Sequence, residues 1–196
     1  MASKIKVDQI QTGDGTGTIA LQNQLSGMTT ASLPALGSAQ MPTGSVLQVQ
    51  QGILTGTFAS TTAATWLDVV TVNITPSSTS SKIYVSFNLN AMVNSDNQRA
   101  GARVARDSTG IGVATSTGNR TAASTTFAGT SDGTLSQINM SNSILDTPST
   151  TSQITYRLQV QCENTTEIKV NIDDADGNGA SYFRGVTTIT AMEIAG

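Results

Sequence analysis

Apolar positions along the 196-residue chain change their spacing near Pro42. From Lys82 to Val93, the residues Ile83, Val85, Phe87, Leu89, Ala91 and Val93 fall on every second position. That period belongs to a strand with one face buried and one face wet. The same alternation recurs in Ile154, Tyr156, Leu158, Val160 and Cys162, opposite Thr155, Arg157, Gln159 and Gln161. The pattern predicts strands over residues 45–51, 65–74, 82–94, 99–106, 110–115, 136–142, 153–162, 167–172 and 186–194. Turn chemistry separates them at Thr75-Pro76-Ser77-Ser78, at 107–110, at Asp132-Gly133, at Asp146-Thr147-Pro148 and across 173–179. Short strands at this spacing predict an antiparallel β-sandwich or jelly roll.

Residues 1–44 read differently. Ile5, Val7, Ile10, Ile19 and Leu21 stand alone among Gly, Thr, Ser, Gln and Asn, too sparse to close a core of their own. Pro34 and Pro42 oppose a continuous helix. The expected organisation is an extended N-terminal arm over 1–44 followed by an all-β body over 45–196.

Composition narrows the functions open to such a body. Charged residues are 12% of the chain and the net charge is −3, with an isoelectric point near 4.7. A nucleic-acid surface needs a basic stripe, and the densest cluster here is only Arg99, Arg103 and Arg106. No apolar run approaches the roughly 18–20 residues of a membrane-spanning helix. The opening MASKIKVDQIQ lacks the apolar centre of a secretory signal, so synthesis and retention in a cytoplasm are expected. Cys162, the one cysteine, has no intrachain partner and is expected as a buried thiol.

Candidate chemistry is thin. The chain has no histidine, which removes Ser-His-Asp and Cys-His catalysis and imidazole metal sites. No phosphate-binding P-loop occurs. Carboxylate pairs are available, but one Trp and three Tyr give little aromatic lining for a sugar-cleaving site. A non-enzymatic protein is expected. Asp174, Asp176 and Asn178, followed by Gly179, match the opening of a calcium-binding loop. Position twelve of that loop is Gly185, where a bidentate Glu is required. The same residues suit a tight turn, so no cofactor is expected and Ca2+ is the minority reading. Trp66 and Phe87, in phase with strands, are expected in the core. Tyr182 and Phe183, as neighbours in a strand, should face opposite ways.

Three stretches carry a resemblance. KIKVDQIQTGDGTGTIALQN near the start, DTPSTTSQITYRLQVQ from Asp146 and VTTITAMEIAG from Val186 resemble segments of fibre-type structural proteins of tailed bacteriophages, marine and cyanobacterial phages in particular. The resemblance implies a homotrimer with an arm attached to the virion and a β-sandwich body projecting outward, similar to trimers of the tumour-necrosis-factor type. It implies a place on the virion surface after synthesis in the host cytoplasm. Ile5, Val7, Ile10, Ile19 and Leu21 would then be the attachment contacts, on the major capsid protein or a tail protein. Two roles follow: a capsid-decorating cement or head-fibre protein, favoured by the short chain, or a tail fibre binding a host glycan or receptor through its body.

Overall fold

The computed structural model describes residues 37, 40–95, 98–129, 137–165, 167–172 and 176–196. The chain divides into two units, Met1–Gly37 and Ser38–Gly196, and the description below concerns the second. The five expected arm contacts lie outside the described residues.

Eleven strands and no α-helix occur among the described residues. The first sheet is centred on β4 (Lys82–Val93), whose alternation is the strongest in the sequence. Along one edge β4 pairs with β8 (Ile138–Asp146); along the other it pairs first with β11 (Thr187–Ile194), then with β10 (Ile168–Val170). Beyond these, β1 (Val46–Leu54) pairs with β11 and β2 (Phe58–Ser60) with β10. The second sheet runs β3 (Leu67–Ile74), β9 (Ile154–Cys162), β5 (Arg99–Arg106). The outer edge of β5 is shared by β7 (Thr125–Ala128) and β6 (Thr109–Ile111). Every one of these pairings is antiparallel.

Because β1 and β2 continue one another, as do β10 with β11 and β6 with β7, the strands form eight columns. Numbered along the chain, the columns are ordered 1-8-3-6 in the first sheet and 2-7-4-5 in the second. Columns 1 and 8, 2 and 7, 3 and 6, and 4 and 5 are neighbours. This is one long four-pair hairpin rolled into two sheets, which is a jelly roll.

The core lies between the sheets. Ile83, Val85, Phe87 and Leu89 of β4 face Tyr156, Leu158 and Val160 of β9, all buried. At the edge, β1 approaches β3 so closely that a Cβ at Gly52 would collide with the Thr71 carbonyl oxygen. Only glycine fits that approach.

Three buried polar groups pin the roll. Glu193, fully buried on β11, accepts hydrogen bonds from Gln48 Nε2 at 2.6 Å, Ser77 N at 2.6 Å, Ser77 Oγ at 2.7 Å and Ser81 Oγ at 2.7 Å. Burial alone would raise its pKa, but these donors outweigh burial and hold it below the ordinary carboxylate value. Tyr156, also fully buried, donates to Asp146 Oδ2 at 2.7 Å, and Arg106 Nη1 reaches both oxygens of Asp146 at 3.0 Å. Burial first, and then the bond to Asp146, push the phenol pKa far upward. This strut joins β9 and β5 of the second sheet to β8 of the first. Asn171, between β10 and β11, sits at φ +63°. Its Nδ2 donates to the carbonyls of Leu54 and Gly56, and its Oδ1 accepts from Thr187. One side chain therefore satisfies the backbone where columns 1 and 8 both break.

The expected strands recur with shifts. The predicted segment 99–106 matches β5 to the residue, while β1 and β8 run further than expected. The strand expected over 110–115 is the short β6, in a hairpin whose turn residue Asp107 has φ +53°. Strands β2 and β7 were not predicted. Phe87 is in the core as expected, whereas Trp66 is not: it is half-buried on the outer face of the second sheet. Tyr182 and Phe183 are not in a strand, and both are exposed. The Gly177–Gly179 stretch turns the chain so that the Tyr182 ring lies over Gly177.

Candidate functional site

With the core closed between the sheets, anything this body binds must meet an outer face or a loop. The two outer faces differ in chemistry.

On the first sheet, register places whole rows of side chains across all four columns. Val49, Met192, Tyr84 and Leu145 align as one row. Next to it run Gln51, Thr190, Ser86 and Ser143, and beyond these Ile53, Thr188, Asn88 and Ser141. Val46 and Ile194 form the next row, which ends on the exposed Lys82 of β4. The far end is an amide cluster in which Asn139 Nδ2 donates to Asn88 Oδ1 at 2.7 Å and to Asn90 Oδ1 at 3.0 Å. No charged residue stands in these three rows. Val46, Val49, Ile53, Tyr84 and Leu145 are exposed, Leu145 by 56%. A hollow of about 570 Å³ opens over the hydroxyl rows, between Tyr84 and Asn88 on β4 and Ser141 and Ser143 on β8.

On the second sheet the outer face is charged and tied together. Arg157 pairs with Asp68, and Gln159 Nε2 donates to the other oxygen of Asp68 at 2.7 Å. Gln159 Oε1 accepts from Arg103 Nε at 2.9 Å, and the Arg103 guanidinium stacks on the Trp66 ring 4.3 Å from its centre. Partial burial against the ring lowers the Arg103 pKa. The chain Asp68–Gln159–Arg103–Trp66 thus fixes the indole on its sheet. Beside it a groove of about 530 Å³ is lined by Trp66, Gly101, Arg99, Arg120, Gln161 and Glu163, among others.

The expected cation loop is only partly described. Asp174 lies outside the described residues. Both carboxylate oxygens of Asp176 accept from Arg184, Nε and Nη2 each at 2.8 Å. Asn178 is in the bend that follows. Among the described residues, no three Cys, Asp or Glu side chains gather as a metal site, and no helix is long and apolar enough to cross a membrane. Cys162 is buried as expected; its Sγ–H donates to the Asn164 carbonyl at 2.9 Å, and burial raises its pKa.

Sequence reasoning missed both faces. The row Val49–Met192–Tyr84–Leu145 is assembled from four strands far apart in the chain, and only register brings it together. Counting by twos puts Trp66 in phase with the inward Val70, Val72 and Ile74, and the register shift between Asp68 and Val70 reverses that phase.

No protein-family model matches the chain, and no curated protein sequence matches it. Among solved structures, the chain is similar to that of the infectious bursal disease virus Gt strain, with 15% identity and a TM-score of 0.37. That match covers 83% of this chain and 43% of the other. It is also similar to the VP2 subviral particle of that virus, with 15% identity, a TM-score of 0.35 and coverage of 83% and 42%. T=1 particles derived from the virus give 16%, 0.35, 83% and 41%. The chain spans about two-fifths of the length of these chains.

Proposed function

We propose that this chain is a non-enzymatic structural protein of a tailed-phage virion, a homotrimer that decorates the capsid and is held there by its N-terminal arm. The trimer contact is the outer face of the first sheet. The observation that carries this reading is the middle of that face, where three successive rows carry no charge and an apolar row crosses all four columns. Interface centres are depleted of charge and enriched in Tyr and Met, and a monomer in water has no use for Val49, Tyr84, Met192 and Leu145 in one line. Rotation about a three-fold axis would pack three such faces together. A jelly roll alone does not specify a function; the virion assignment rests on the resemblance of the three quoted segments to phage fibre-type proteins.

The arm contacts in this reading are Ile5, Val7, Ile10, Ile19 and Leu21, docked on the major capsid protein by strand addition to an exposed sheet edge. The test is to load particles lacking the protein with wild type and with an Ile5→Asp/Val7→Asp variant. The variant should stay trimeric and fail to bind particles; a variant that still loads overturns the arm's role. A tail-fibre adhesin is the second reading. The groove beside Trp66 favours it, because that groove lies on the sheet opposite the proposed trimer face.

A further inference from the structure

We infer that the groove on the outer face of the second sheet is a binding site for an acidic saccharide, a sugar chain carrying carboxylates. The inference concerns this body alone and does not depend on where, or whether, the arm attaches to a particle.

The floor is apolar and rigid. Trp66 lies across Gly101, where a Cβ would stand 3.5 Å from the ring and 3.0 Å from Ala123 Cβ. The Arg103 guanidinium covers one face of the indole and is itself held by Gln159 and Asp68, and the rest of the ring lines the groove. An aromatic platform that no ligand has to reorganise costs little entropy on binding. Its partner needs an apolar face, which a pyranose ring presents through its C–H groups.

The walls are polar and lean positive. Arg120 gives one N–H to the Thr117 carbonyl at 3.0 Å and has no carboxylate partner among the described residues. Arg99 is largely exposed and stands 3.8 Å from Glu163, a loose contact. Glu163 Oε1 meanwhile accepts from the Arg99 backbone N–H at 3.0 Å. Two guanidinium groups therefore face one carboxylate that already has donors, and the balance favours an anion. Guanidinium forks match carboxylates in shape as well as charge.

One group in the wall is unsatisfied. Gln161 Oε1 is buried with no hydrogen-bond partner, a state that typically costs ~1–3 kcal/mol in a folded protein. The Gln161 side chain is half-buried and lines the groove. A polynucleotide fits less well. A phosphate backbone is held by a basic stripe, and this groove offers two arginines beside one carboxylate. The cavity, about 530 Å³, falls in the size range of small-ligand sites, ~300–1,000 Å³.

Trp66 is the single tryptophan of the chain, so its emission reports this groove and nothing else. The experiment is a fluorescence titration of the full-length protein at constant ionic strength with trigalacturonate, neutral maltotriose and inorganic sulfate. Trigalacturonate should change the emission saturably, with maltotriose at least about tenfold weaker, as expected for a charge-assisted contact. Arg120→Ala should bring the two sugars to similar affinity, with Arg120→Lys falling between. Circular dichroism of each variant confirms that the body is folded. Equal affinity for both sugars in the wild type overturns the acidic assignment. A response to sulfate as strong as to trigalacturonate overturns the saccharide assignment, leaving an adventitious ion only. No saturable response to any of the three overturns the site.

Discussion

The two outer faces of the roll are built from the same kind of strand and end in opposite states. On the second sheet, Asp68, Arg157, Gln159 and Arg103 satisfy one another. On the first, hydroxyls and amides surround a line of Val49, Met192, Tyr84 and Leu145 that nothing within the described body covers. A closed polar network has little to gain from a protein partner, because each contact must replace one already made. Three uncharged rows with an apolar line gain from burial at ~25 cal/mol per Å² and give up no ion pairs. The difference supports the proposed self-association through the first sheet and the inferred ligand site on the second.

The sharpest break of that contrast is charge on the apolar row. If the first sheet makes the proposed trimer, Tyr84→Arg with Leu145→Arg should convert it to monomer, weakening association by a factor on the order of 10³ or more with both guanidiniums buried unpaired. Sedimentation velocity reads the outcome, and a variant that stays trimeric places the interface elsewhere. Next comes the rigidity that keeps the faces distinct. Asn171→Ala removes a side chain that serves two carbonyls and one hydroxyl and leaves alanine at φ +63°. It should cost roughly 2–4 kcal/mol in urea denaturation. Tyr156→Phe, which cuts the strut between the sheets while keeping the ring, should cost about 1–2 kcal/mol by the same measurement.

A pH series sharpens the comparison from inside. The Glu193 pKa is lower in the folded body than in the unfolded chain. Its contribution is therefore full above the unfolded-state value and is lost as pH falls through the folded-state value. Melting temperatures of the wild type should drop on acidification below about pH 4.5, and Glu193→Gln should flatten that part of the profile. A Glu193→Gln curve parallel to wild type would show that other groups govern the acid limb. The smallest effect belongs to the second sheet: Arg157→Ala should change stability by no more than ~1 kcal/mol, since the pair is half-exposed. Its oligomeric state should not change. A shift in sedimentation for this variant would erase the distinction between the faces.

Much of the fold was legible because β4, β5, β9 and β11 alternate cleanly, and alternation is a local property. Column order was not, because it depends on which strands pair across more than a hundred residues, as β1 does with β11. The short strands β2 and β7 escaped for a related reason: three or four residues cannot show a period, and both exist by pairing to an edge already formed. For the faces, the residue types were visible but their assembly was not. Tyr84 and Leu145 are each unremarkable in sequence and meet only through the β4–β8 register. Trp66 misled because the register shift between Asp68 and Val70 reverses the phase that counting by twos gives it. The unsatisfied oxygen of Gln161 leaves no trace in sequence at all.

The seam between β1 and β11 has a mechanical meaning. The chain enters the body at Gly44, whose N–H donates to the Ala195 carbonyl at 2.8 Å, and Ala195 N donates back to Ser45 at 2.9 Å. From there the two strands run antiparallel from Val46 opposite Ile194 to Leu54 opposite Thr187, with one register shift between Val46 and Gln48. Ladder hydrogen bonds lie perpendicular to their strands, so tension drawn along β1 through residue 44 loads the whole ladder in shear instead of peeling one pair at a time. The buried Glu193 latch to Gln48 sits at the end that takes the strain first. A body made this way can be towed by its leading segment without unravelling from it.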